Sequence, residues 1–153
     1  MVQCVCYTSG TGGDSVTVNE LYDYAEAHSV IIDDAFVFDK ARAVSLPLGE
    51  DLCVIGLHPS LRGGAYRAQL AHEIGHCMTG AFYNEHTPVF TRGQCEHRAD
   101  KWAVRRLLPK KKLLAAMQDG CVEVWQLADH FDLPDDFIIR AIQIYGEGNQ
   151  WQR

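Results

Sequence analysis

The stretch Gln69 to Gly80, Q-L-A-H-E-I-G-H-C-M-T-G, constrains this chain more than any other. His72 and His76 are four positions apart. Four helical residues turn through about 400°, so both rings lie on one face, about 6 Å apart along the axis. The stretch therefore predicts a helix, and the fold has to bring something to the face that carries two imidazoles. Glu73 stands beside the first of them and points elsewhere.

That spacing lets two imidazoles take two corners of a tetrahedron at ~2.0–2.1 Å from a zinc ion. Glu73 is then placed to hold a zinc-bound water, whose pKa the metal lowers from about 15.7 to roughly 7. Gly75 leaves space on the helix beside the metal. The five letters H-E-x-x-H also fit a plain helix with two hydrogen-bonded histidines, so the reading depends on a third protein ligand.

The segment C-E-H-R-A-D-K-W-A-V-R-R-L-L-P, Cys95 to Pro109, offers several. Ala99, Ala103 and Leu107 make an apolar stripe, and Glu96 sits at its head, on the face turned to the core. A carboxylate there is costly unless paired or metal-bound. Asp100, one turn later, is positioned to accept a hydrogen bond from the free nitrogen of a ligand histidine. His97 is the alternative third ligand, on another face with Lys101 and Val104. Cys95 and His86 also stay open, the first less suited to activating water and the second in a loop of unknown position. Glu96 is the preferred ligand.

With these residues quoted, the chain resembles the ImmA/IrrE family of metallo-endopeptidases. The likeness rests on L-A-H-E-I-G-H, Leu70 to His76, and on E-x-x-A-D-x-W-A-x-x-x-L-L-P, Glu96 to Pro109. It extends more weakly over Val18 to Pro109. Two departures are Arg106, where the family has an apolar residue, and Gly63-Gly64 at the start of the active helix. The resemblance implies His72, His76 and Glu96 as zinc ligands and Glu73 as general base. It also implies a specific protein substrate, a helix-turn-helix repressor of a prophage or mobile element. The rival expectation is a non-catalytic zinc-containing protein that captures a regulator.

The rest of the chain sets the frame. Its 153 residues, 47% hydrophobic, suffice for one domain with a real core. A net charge of −6 speaks against a broadly basic surface and direct nucleic-acid binding. The first thirteen residues carry neither a basic leader nor a long apolar run, and no stretch approaches the ~20 apolar residues of a membrane span. The six cysteines contain no C-x-x-C pair. They are expected to be reduced thiols, and the protein cytoplasmic and without a membrane partner.

Residues 1–15 are expected to be loosely ordered, with Cys4 and Cys6 alternating around Val5 as in a strand. A helix is predicted from Val18. Strands follow in V-I-I-D-D, A-F-V-F-D, A-V-S-L-P-L and through Leu57. A second helix spans about Ala65 to Met78, a loop Gly80 to Gly93, and a third helix Gln94 to Leu108. Lys110 to Tyr145 reads as two or three short helices. The expected class is α+β, a small, mostly antiparallel sheet with an active-site helix, a third-ligand helix and a C-terminal helical segment. Residues 16–109 form the metallopeptidase core, and 110–153 pack into the same domain.

Cys53 to Leu57 runs straight into the active helix, so that strand is expected at the sheet edge, open to an extended substrate. The tail's helix-turn-helix flavour (Leu127, Ala128 and Phe131, then Ile138, Ile139 and Ile142) reads as core packing, because Asp135 and Asp136 open its second helix. Trp102 and Trp125 are expected in the core. The oxyanion donor stays unassigned among Tyr66, Tyr83, His86, His97 and Arg98.

Overall fold

Helix α1 (Val18–Ala27) begins at a capping box: Glu20 N–H donates to Thr17 Oγ1 while Thr17 N–H donates to the Glu20 carboxylate. The computed structural model describes residues 15–37 and 40–147. Residues 1–14, with Cys4 and Cys6, lie outside the described residues.

Three strands follow, β1 (Val30–Asp33), β2 (Ala43–Leu48) and β3 (Leu52–Leu57), in the order β1-β3-β2. β1 runs parallel to β3 over four residue pairs and β2 antiparallel over six, so the sheet is mostly antiparallel. The expected strand at Ala35–Asp39 is not formed at Ala35–Val37, and Phe38 and Asp39 lie outside the described residues.

β3 is the central strand, which overturns its expected place at the edge. The reason is in its side chains: Cys53, Ile55, Gly56 and Leu57 are buried, a near-continuous apolar run suited to pairing on both sides. β2 is an edge strand instead. Pro47 within it has no N–H to give a further neighbour, and Leu46 and Leu48 are exposed.

Helix α2 (Gly63–Thr79) is buried over much of its circumference, between the sheet and α3 (Val89–Leu107). It ends at Gly80, whose φ of 62° is left-handed. α3 starts five residues earlier than expected, directly after Pro88; Gly93 lies inside it and does not break it. Leu108 and Pro109 end it. Helices α4 (Lys110–Gln118), α5 (Val124–Phe131) and α6 (Asp135–Glu147) complete the described residues.

One buried cluster joins Leu21, Ile55, Leu70 and Ile74 to Leu113, Leu127 and Ile138, so the C-terminal helices share the core of the sheet and α2. Trp102 packs partly buried against it. Trp125 is not core: it is 60% exposed on α5. Ile139 and Ile142 also face outward on α6, whose inner stripe is Phe137, Ile138, Ala141 and Ile144.

The Gly63-Gly64 pair has a packing reason. A Cβ on Gly64 would run into the backbone of Asp132, at the turn between α5 and α6. Arg67 ties the same place, donating to the carbonyls of Phe131 and Asp132 at 2.6 Å each. Arg106, the other departure, lies over the ring of Tyr24 at 4.5 Å. The expectation of reduced thiols fails for one pair: Cys53 of β3 and Cys77 of α2 are disulfide-bonded. Cys95 and Cys121 are buried and stand outside any disulfide.

Candidate metal centre

The site is built where α2 crosses α3. A Cβ on Gly75 would stand 2.7 Å from the carbonyl oxygen and 3.0 Å from Cα of Ala99. The two backbones touch there, so Gly75 does not clear room for a metal; it lets α3 come close. His72 and His76 lie three residues before and one after Gly75. Glu96 and Asp100 stand in the same relation to Ala99. The close contact thus sets both pairs of side chains against each other.

His72 Nδ1 is 2.8 Å from Asp100 Oδ1, and His76 Nδ1 is 2.6 Å from the carbonyl oxygen of Ala81. Since a carboxylate and a carbonyl only accept, each Nδ1 carries a proton, and each Nε2 is the nitrogen turned towards Glu96 and able to give its lone pair to a metal. The two Nε2 atoms are 3.1 Å apart, and each is 3.3 Å from a Glu96 oxygen. A tetrahedron with ~2.0–2.1 Å metal bonds has edges of about 3.3–3.4 Å. The two imidazole nitrogens stand at nearly that separation, each beside a different Glu96 oxygen, and one donor atom from each of the three residues lies within 4.8 Å of the others. His72, His76 and Glu96 are a group that could hold a metal, and the fit is good.

The electrostatics agree. Burial opposes charge on His72, but the hydrogen bonds with Asp100 and Glu96 and the charges of Glu73 and Asp100 outweigh it, pushing the pKa up to about 9. Hydrogen bonds from His72 and His76 hold the Glu96 carboxyl well below the usual range, against its partial burial. The pocket is poised for positive charge, and a proton takes that place when no metal does.

Glu73 is 5% exposed, yet lines the cavity beside the donors, and its Oε1 accepts from Gln69 Nε2 at 2.8 Å. Gln69 was missed in the sequence, although its i, i+4 relation to Glu73 is a usable signal. Arg140 of α6 was missed too: its Nη1 donates to Asp100 Oδ1 at 3.1 Å. No local pattern connects residues 40 positions apart.

The rivals for third ligand lie elsewhere. His97 pairs with Glu147 at 3.2 Å, His86 is exposed beside Glu85, and the Cys95 thiol donates to the Phe82 carbonyl. Of the five oxyanion candidates, Tyr83 alone lines the cavity. A hydrogen bond with Glu96, then burial, pushes its hydroxyl up to about 12, so it keeps its proton. Tyr66 is bonded to the Tyr22 hydroxyl, and Arg98 lines a separate groove with Lys101 and Arg105.

Two histidines from one helix and a carboxylate from the next make a donor set that could hold a metal ion beside the cavity. The chain belongs to the Peptidase_M78 family: the model of that family, the IrrE N-terminal-like domain, matches residues 38–142. Searches of curated proteins and of solved structures return no match.

Proposed function

We propose that this protein is a zinc-dependent endopeptidase that cuts a specific protein. One observation carries the reading: three convergent donors share a cavity with a buried carboxylate, Glu73, that a purely structural site has no use for. Zinc bound by His72, His76 and Glu96 supplies polarisation of the scissile carbonyl and a more acidic water.

The residues of the chain do the rest. Glu73, steadied by Gln69, takes the proton of the attacking water and returns it to the leaving amine. Asp100 keeps His72 in the tautomer that turns Nε2 inward, and the Ala81 carbonyl does the same for His76. The Tyr83 hydroxyl is the donor for the developing oxyanion. Ala43, Val44 and Ser45 of β2 line the same cavity, so the edge of β2 is the place for an extended substrate backbone.

A DNA-binding repressor of a prophage or mobile element is the substrate that the family resemblance favours. No described helix is long and apolar enough to cross a membrane. A cytoplasmic setting is part of the same proposal.

The test compares the zinc-loaded protein with Glu73→Gln on a proteome-derived peptide library, with new termini read by mass spectrometry. Cleavage by the wild type, cut at least 100-fold in the variant, is expected. Zinc bound normally with no cleavage by either protein would favour the rival, a zinc-containing protein that captures a regulator.

A further inference from the structure

The cavity beside the metal donors is one half of a longer cleft. One half is walled by Phe82, Tyr83 and the β2 residues Ala43 to Ser45. The other is walled by Leu61, Ala65 and Phe137, with Arg42 and Arg140. Gln69, His72 and Glu96 belong to both, so the halves meet over the metal donors.

The second half is distinguished by its cations. Arg42 immediately precedes β2, is exposed, and its side chain has no hydrogen bond or ion pair among the described residues. Arg140 gives Nη1 to Asp100 and keeps its remaining donors, with its side chain 40% exposed. Two carboxylates, Glu96 and the exposed Asp136, also line this half. Asp100 holds His72 and Arg140, Glu96 faces the two histidines, and Asp136 Oδ1 accepts from the Phe137 N–H. Two guanidinium groups with unused donors thus stand over an apolar floor of Leu61, Ala65 and Phe137. A guanidinium fork matches carboxylate and phosphate geometry, and of these the carboxylate is the group that an unmodified peptide supplies.

We infer that this half of the cleft is a carboxylate subsite. Resting on the peptidase reading, the inference is that the protein prefers chains that set a carboxylate close to the scissile bond, between Arg42 and Arg140. Because Arg42 leads directly into β2, a peptide extended along that edge reaches it within about three residues of the metal donors. The carboxylate is that of an acidic side chain or of the C-terminus of the peptide, and amidation separates the two.

The experiment maps cleavage sites of the zinc-loaded protein in a proteome-derived peptide library and in its C-terminally amidated copy. Asp and Glu, or the free C-terminus, should be enriched roughly tenfold at one position within three residues of the cut. Enrichment that survives amidation assigns the side chain, and enrichment lost on amidation assigns the terminus. Arg42→Glu, at an exposed position, should turn the preference towards Lys and Arg. Cleavage with no carboxylate preference, or a preference unchanged in Arg42→Glu, overturns the subsite.

If no peptide is cut, the peptidase reading fails and binding decides the subsite. Zinc-loaded Glu73→Gln is then titrated calorimetrically with alanine hexapeptides, both blocked and free at the C-terminus, carrying one glutamate or one glutamine. Tighter binding of the carboxylate form, lost on adding Arg42→Glu, supports the subsite; equal binding overturns it.

Discussion

Replacing Gly75 by alanine tests whether a backbone contact, rather than the motif alone, assembles the metal centre. The new Cβ would meet the Ala99 carbonyl oxygen at 2.7 Å. An ordinary carbon–oxygen contact is about 3.3–3.6 Å, so α3 has to withdraw by about 0.6–0.9 Å. Overpacking of this kind costs roughly 1–3 kcal/mol, or a Tm lower by about 3–9 °C in a chain of this size. The functional effect should be larger than the loss of stability. Metal ligands tolerate displacements of only about 0.2 Å, and Glu96 moves with Ala99. Zinc affinity, measured by competition with a chromophoric chelator, should fall at least tenfold while circular dichroism shows the helices retained. Wild-type affinity in a folded Gly75→Ala protein would refute the claim that the crossing places Glu96.

Asp100→Asn should weaken zinc binding by about 10–100-fold without unfolding the chain, because His72 loses the partner that fixes its tautomer. Chelator competition measures this, and unchanged affinity would show that Asp100 plays no part. The metal-free protein should lose stability with rising pH. The pKa of His72 is raised from 6.5 to about 9, so its contribution is fully present below about pH 6.5 and disappears as pH rises through about 9. That swing is on the order of 3 kcal/mol; urea melts at pH 6 and pH 9.5 would measure it, and the zinc-loaded protein should show less of it. Reducing the Cys53–Cys77 bond, which closes a loop at a sequence separation of 24, should cost about 3 kcal/mol. A melt that does not change on reduction, or two further free thiols on titration of the denatured chain, would contradict that bond.

Helix spacing was sufficient to place His72, Glu73 and His76, because their relation is local. Glu96 and Asp100 were legible for a similar reason: the stripe Ala99, Ala103, Leu107 identifies the inward face of α3. What stayed hidden depends on contacts between distant segments. Arg140 reaches Asp100 from α6, and Ala81 meets His76 only because Gly80 turns the chain back. The order of the strands follows the pairing capacity of each, legible in Pro47 of β2 and the apolar run of β3, and not the adjacency of β3 to the active helix. Trp125 was assigned to the core by residue type, whereas α5 buries Leu127 and Ala128 and turns Trp125 outward.

The most direct test of the central claim is zinc per chain, by mass spectrometry of metals, in protein purified without chelator as wild type, Glu96→Ala and His97→Ala. The convergence of His72, His76 and Glu96 predicts about one zinc in the wild type and in His97→Ala, and a sharp loss in Glu96→Ala. Equal zinc in the wild type and Glu96→Ala, or a loss confined to His97→Ala, would contradict it.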